Sequence, residues 1–330
     1  MARWLRVAVS LGLGVRQGSG TRENWISTTI PKVVWQGWIT KELPPAIAAV
    51  NTEMRKGNPG WKFILMDRME QDQFMRDFYD GPIAQAYFSL NQALGAARAD
   101  LFRYCLLFRF GGVWCDIDTT INQPLDAWLQ RTDSSVFANE RHPFPDNSDE
   151  AVTMRRLLQM EIQPTPPGLS NQSVVQWMLV QAPGSPFLRA MIDHCTAAIH
   201  AWVDVPESKR IPIATKIHQI TGPGAWTNVV RGVINRYQPS SSGLNFRFAA
   251  IDFGDAVTFK FVPPEGKYRH YFRLRERRRK EGRLEDGAVD LIPYRFLDDD
   301  VPLKATPSGG EDNCSSTAAQ CPAPETHTVL

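Results

Sequence analysis

The segment from Ala93 to Asp118 limits this chain more than any other. Within Ala93 to Phe110, the apolar residues Ala97, Leu101, Tyr104, Cys105 and Phe108 recur at the 3.6-residue period of a helix with one buried stripe. Gly111-Gly112 ends that helix, since glycine takes the left-handed backbone of a helix C-terminus at no steric cost. Val113-Trp114-Cys115 then reads as a short buried strand, and Asp116-Ile117-Asp118 falls at its C-terminal end. A helix turned straight into a buried strand needs a sheet to join and a second layer to cover it. Ligands of open α/β sheets bind outside the C-terminal ends of the strands. The two acids therefore stand where such a fold places a site.

The flanking sequence supplies that sheet. Pro31 to Gln36 reads as a first buried strand, Pro44 to Arg55 as a helix, and Trp61 to Met66 as a second strand after the turn Asn58-Pro59-Gly60. Strand, helix, strand opens an α/β sandwich with a parallel sheet. Residues 68 to 80 read as a polar helix ending at Gly81-Pro82. Further expectations are a strand at Ser134 to Ala138, a helix at Val152 to Ile162, an apolar segment at Val174 to Val180 and a helix at Phe187 to Val203. Thr221-Gly222-Pro223-Gly224 leads into a helix from Trp226 to Ile234, and Phe246 to Ile251 and Val257 to Val262 are short strand-like pieces. The reading divides the chain into a leader (1–29), a single catalytic domain (30–300) and a disordered tail (301–330), rich in Ser, Thr, Pro and Gly.

Composition narrows function mainly by exclusion. A net charge of +2 over 330 residues gives no general case for nucleic-acid binding, so no nucleic-acid partner is expected. Five Cys are too few for a disulfide scaffold; Cys105, Cys115 and Cys195 read as buried thiols, and Cys314 and Cys321 could pair in an oxidising compartment. Residues 3 to 15 combine two Arg with an apolar run far short of the roughly 20 residues that span a bilayer. That run is either a weak signal or anchor, associating with a membrane through the N-terminus, or a leader without a targeting role. Asn171-Gln172-Ser173 and Asn313-Cys314-Ser315 are glycosylation triplets of a kind that also arises by chance.

Two carboxylates one residue apart at a strand end suit a hard divalent cation such as Mn²⁺ or Mg²⁺, which wants oxygen ligands and retains substrate phosphates in its shell. Taken alone, Asp116-Ile117-Asp118 is equally a solvated turn or a calcium loop. Its context decides more. Ala99-Asp100-Leu101-Phe102-Arg103-Tyr104, followed by Leu107 through Asp118, resembles the signature of glycosyltransferase family 32. That sugar-binding group includes fungal Golgi α-1,6-mannosyltransferases and sphingolipid mannosyltransferases, and the helix, Gly-Gly turn and Asp-x-Asp also occur in the glucosylating clostridial toxins. Ile30 to Gln36, Gln181 to Phe187 and Thr221-Gly222-Pro223 resemble further elements of the family, so the likeness covers roughly residues 30 to 270.

The resemblance implies an α/β GT-A fold, a Rossmann-like sandwich with a mainly parallel central sheet. It implies a retaining enzyme that moves a hexose, with mannose the first candidate, from GDP-mannose or a UDP-hexose to a glycan or glycolipid hydroxyl. It also implies a metal at Asp116 and Asp118, a secretory-pathway location (cytoplasmic being the alternative), and donor contacts from Asp100 and Arg103. Those two lie one helical turn apart, where an ordinary surface ion pair is the rival reading. Trp35-Gln36 stands where many relatives carry His-Gln, so Trp35 is either a base-stacking platform or core packing, with Gln36 beside it in the donor site. The relatives' C-terminal Gly-Ser-Trp is missing, and its nearest counterpart is Tyr268-Arg269-His270-Tyr271. His270 is thus a third metal ligand or a solvated side chain, and Arg273 to Arg283 meets diphosphate or a membrane, or is a solvated face. Asn139, Glu140 and His142, with Asp252 and Asp255, either face the acceptor or belong to polar loops. Trp35 and the missing Gly-Ser-Trp also motivate a catalytically silent binding or scaffold protein, and a metal phosphohydrolase is the third reading.

Overall fold

Val33-Val34-Trp35 and Val113-Trp114-Cys115 are fully or almost fully buried, as befits strands covered on both faces. The computed structural model describes residues 29–92, 95–141, 161–203, 213–236 and 245–259, with Val152 and Arg156 singly. His142, His270, Arg273 to Arg283, Cys314, Cys321, the Asn313 triplet, the tail and nearly all of the leader lie outside the described residues. So does most of the helix expected at Val152 to Ile162.

The chain opens with β1 (Val33–Gly37), α1 (Pro45–Gly57) and β2 (Lys62–Met66), and β1 pairs with β2 in parallel. Helix α2 (Arg68–Phe78) starts on a capping box, in which the Asp67 side chain accepts the Glu70 N–H and Glu70 accepts the Asp67 N–H. The helix ends at Phe78, just short of Gly81-Pro82. Proline is tolerated in a first helical turn, where its missing N–H is not needed, and the pair opens α3 (Gly81–Ser89). Then come α4 (Gly95–Phe110), β3 (Gly112–Cys115), β4 (Thr119–Ile121), α5 (Leu125–Trp128) and β5 (Ser135–Phe137). β6 (Met178–Gln181), α6 (Pro186–Val203), α7 (Ile213–Ile220) and α8 (Pro223–Arg236) follow. β7 (Arg247–Phe248), a 3-10 helix (Ile251–Ala256) and β8 (Val257–Phe259) complete the described chain.

The sheet order is β2-β1-β3-β6-β5-β7. β1 is parallel to β2 and β3, β5 is parallel to β7, and β6 runs against both β3 and β5. All strands but β6 therefore share a direction, the mainly parallel sheet that was expected. On one face Trp35, Phe102, Tyr104, Phe187 and Trp226 join β1 to α4, α6 and α8 in one apolar cluster. On the other, Val34, Val113 and Cys115 pack with Met54 of α1 and with Ile121 and Val257 of a separate β4–β8 ribbon. Cys105, Cys115 and Cys195 are buried free thiols, as the sequence indicates. No described helix is long and apolar enough to cross a membrane.

Candidate active site

β3 delivers the acids. At its end the Asp116 N–H donates to the Trp177 C=O (2.9 Å), which fixes the strand end against the start of β6. The Thr119 N–H donates back to the Asp116 C=O (2.9 Å), turning the chain into β4. Asp116 and Asp118 are left half-buried on either side of buried Ile117, at the C-terminal edge of the sheet.

Helix α4 brings two buried charges to the same place. Arg103 Nη2 lies 3.0 Å from Asp100 Oδ1, and Arg103 Nη1 lies 3.3 Å from Asp116 Oδ1. Arg103 Nη1 also donates to the Gln176 C=O (3.1 Å), and its guanidinium sits 5.3 Å from the centre of the Trp114 ring. The Trp114 indole N–H in turn donates to Asp116 Oδ1 (2.7 Å). Asp100 Oδ2 accepts the Thr221 hydroxyl (2.9 Å), and the Thr221 C=O accepts from both the Tyr104 hydroxyl (2.9 Å) and the Gln176 amide (3.0 Å). Asp100 is 4% exposed and Arg103 6%. The pair is thus no solvated surface bridge but part of a satisfied buried network.

Burial pushes Asp100 up to about 7, against Arg103 and the Thr221 hydroxyl, which pull it down. Burial alone would lower Arg103, but Asp116 and Asp100 outweigh it and its pKa rises. Asp118 is also pushed up to about 7, first by burial and then by the charge of Asp116. The two strand-end acids thus hold negative charge that the described residues leave incompletely offset. Their oxygen donors and that unrelieved repulsion fit a divalent cation. Among the described residues no cluster of three or more His, Cys, Asp or Glu could hold a metal by itself.

The remaining expected residues scatter. Trp35 is wholly buried; its ring N–H donates to the Gly111 C=O (2.9 Å) and its ring stacks on Phe110, so its contacts are those of core packing. Gln36 is equally buried, and neither atom of its amide has a partner. Asn139 forms a β-bridge with Val174, and Glu140 follows it, half-buried, its backbone N–H donating to the Ser173 C=O (2.8 Å). Burial and then Asp252 push Glu140 up to about 7. Asp255 is exposed on the 3-10 helix, away from this group. Trp114 and Gln176 were not singled out from sequence; strand alternation puts Trp114 and Asp116 on one side of β3 and was the available signal for the first.

A mainly parallel α/β sandwich here places an acid pair and a buried arginine at the carboxyl edge of a central strand, a chemistry that suits an anionic ligand and a cation. Residues 46–135, which contain Asp100, Arg103, Asp116 and Asp118, are identified as a glycosyltransferase sugar-binding region containing the DXD motif. The initiation-specific α-1,6-mannosyltransferase of Candida albicans is 25% identical over 225 residues, covering 63% of this chain and 54% of that protein. The inositol phosphoceramide mannosyltransferase 3 of Schizosaccharomyces pombe is 30% identical over 132 residues, 36% of each chain. The chain thus spans about half, or less, of the length of these relatives. Among solved structures, the PaToxG glycosyltransferase shares 13% identity at a TM-score of 0.41, covering 63% of this chain and 71% of that one.

Proposed function

We propose that the chain is a glycosyltransferase that moves a hexose, mannose foremost, from a nucleotide-diphosphate sugar to a hydroxyl of a glycan or glycolipid, with retention at the anomeric carbon. The observation that carries this reading is Arg103, held between Asp100 at 3.0 Å and Asp116 at 3.3 Å beside the DXD acids. The names of the fungal relatives point to mannose, and the secretory-pathway location implied by the resemblance goes with that reading.

Asp116 and Asp118 would hold Mn²⁺ or Mg²⁺. When bound, such a cation offsets charge on the departing diphosphate. Asp100 accepts donor-sugar hydroxyls, since each of its oxygens keeps a lone pair beyond its Arg103 and Thr221 contacts. Arg103 presents cationic N–H groups to the phosphate side of the scissile bond, and its fork is ordered before any ligand arrives, which lowers the cost of alignment. The unpartnered amide of Gln36 supports its place in the donor site, whereas the contacts of Trp35 do not support base stacking. We favour front-face displacement, in which the leaving diphosphate takes the acceptor hydroxyl's proton.

The test is calorimetry with GDP-mannose, UDP-glucose, UDP-galactose and UDP-N-acetylglucosamine, with and without Mn²⁺, on wild type and Asp118→Ala. Binding of one donor that requires both Mn²⁺ and Asp118 is the expected result. Absence of binding in every condition would overturn the reading in favour of a silent relative.

A further inference from the structure

Beside the acid pair stands an aromatic face that the donor reading does not use. Trp177 immediately precedes β6, and its C=O holds the Asp116 N–H, so its backbone is anchored next to the acids. Phe259 closes β8 in register with Thr119, the residue after Asp118. The two rings stack with centroids 5.3 Å apart and planes 21° apart, and Phe253 stands edge-on to Trp177 at 6.1 Å. Trp177 is 8% exposed and Phe259 47%, so the stack turns its outer ring to water. Glu140, half-buried, stands beside the Trp177 ring. Asp252 stands next to Glu140 and accepts the Arg141 backbone N–H (3.2 Å).

Position separates this stack from the donor side. Gln176 turns its amide toward Tyr104 and Thr221 on the Arg103 side of the sheet, while Trp177 belongs to the cluster on the opposite face. An isolated exposed phenylalanine would need no explanation. This one is seated on a buried tryptophan that has a carboxylate beside it and whose backbone holds the strand end that carries the acids. A flat ring with a carboxylate at its edge suits a pyranose, whose C–H face is apolar and whose rim carries hydroxyl donors.

We propose that Phe259, backed by Trp177, is the platform on which a pyranose ring of the acceptor lies, with Glu140 accepting from that ring's hydroxyls. The assignment rests on the transferase reading of the acid pair and names the substrate that faces it.

The experiment reads sugar binding without any donor. Wild type, Phe259→Ala, Phe259→Trp and Glu140→Gln are titrated with α-1,6-mannobiose, free in solution and displayed on a lipid in phosphatidylcholine vesicles, following tryptophan fluorescence and saturation-transfer NMR. The expected result is saturable binding by wild type, weakened about tenfold in Phe259→Ala and Glu140→Gln and retained in Phe259→Trp. Binding of both probes, or of either alone, supports the platform; preference for the second assigns the ring to a glycolipid. Equal binding by wild type and Phe259→Ala overturns the proposal, and so does the absence of binding to either probe. Mn²⁺-dependent donor binding, measured on the same preparations, is expected to be unchanged by Phe259→Ala. Its absence from wild type counts against the transferase reading instead, so the two failures are told apart.

Discussion

Arg103 makes contacts that only a planar fork can make together: Asp100, Asp116 and the Gln176 carbonyl, with the Trp114 ring against its face. A lysine keeps the charge but offers a single point of donation, so Arg103→Lys leaves at least one buried charged hydrogen bond unmade. At about 1.5–3 kcal/mol for such a bond, the Mn²⁺-dependent donor affinity should fall about tenfold or more, with about 2 kcal/mol of folding stability lost. Calorimetry and urea unfolding read the two effects; a variant that matches wild type in donor binding removes Arg103 from the donor site. The spacing of Asp100 and Arg103 announced that they share a helix face, and their 3.0 Å contact agrees. It did not announce their burial. That depends on the Gln176 carbonyl and the Thr221 hydroxyl, 73 and 121 residues away in the chain, and no local pattern encodes such partners. Trp35 shows the converse, because a strand residue beside a site reads alike whether its ring faces ligand or core, and here Phe110 and the Gly111 carbonyl claim it.

Between α4 and β3 the backbone must reverse within two residues, and both glycines adopt positive φ, 62° at Gly111 and 102° at Gly112. A Cβ on Gly112 would stand 2.6 Å from Val33 Cγ1 and 2.7 Å from the Val33 carbonyl oxygen, so β1 leaves no space for one. Gly81 also has positive φ, at 51°, yet a Cβ there would meet nothing within 4 Å. Backbone strain alone costs about 1–2 kcal/mol, so Gly81→Ala should lose roughly that amount. Gly112→Ala should lose at least about 2 kcal/mol more, because the collision is with a strand backbone that cannot give. Denaturation midpoints of the two variants check the gap, and equal losses would show that β1 does not press on the turn. The helix stop at Gly-Gly was legible because glycine advertises a left-handed terminus; the close approach of β1 was not, since it is a tertiary fact. The same division explains α3, where Gly81-Pro82 was read as an end although Pro in a first turn also begins a helix. Val174 to Val180 looked like one apolar run, but the strand is only Met178–Gln181: Val174 makes an isolated bridge to Asn139, and the Gln176 amide turns to the Thr221 carbonyl.

The sheet as a whole gathers acidic groups at its carboxyl edge, and Asp118, Asp100 and Glu140 are each pushed up to about 7. Such a cluster is costly to the folded protein, and a bound cation or ligand would relieve it. The folded pKa of Asp118, about 7, lies above the ordinary 3.8, so the folded chain holds the proton more tightly than the unfolded one. The group adds nothing below about pH 4, and stability is lost as pH rises from there through about 7 and stays lost above. Half-buried His194 and His218 titrate in the other sense, both lowered by desolvation, His218 to about 4, and they take stability away on the acid side. A wild-type profile alone would mix these effects; the difference between wild type and Asp118→Asn cancels the histidines. Asn keeps the shape and removes the titration. Without metal the variant should match wild type near pH 4 and exceed its stability at pH 8 by about 1–2 kcal/mol, once the half-exposed setting of Asp118 is allowed for. Addition of Mn²⁺ at pH 8 should raise the denaturation midpoint of wild type and leave that of Asp118→Asn nearly unmoved, since a cation that binds only the folded chain stabilises it by mass action. Urea unfolding at pH 4, 6 and 8, with and without Mn²⁺, decides the matter. If the two proteins differ by the same amount at every pH, Asp118 carries no charge strain; a metal response equal in both would place the cation elsewhere than at the end of β3.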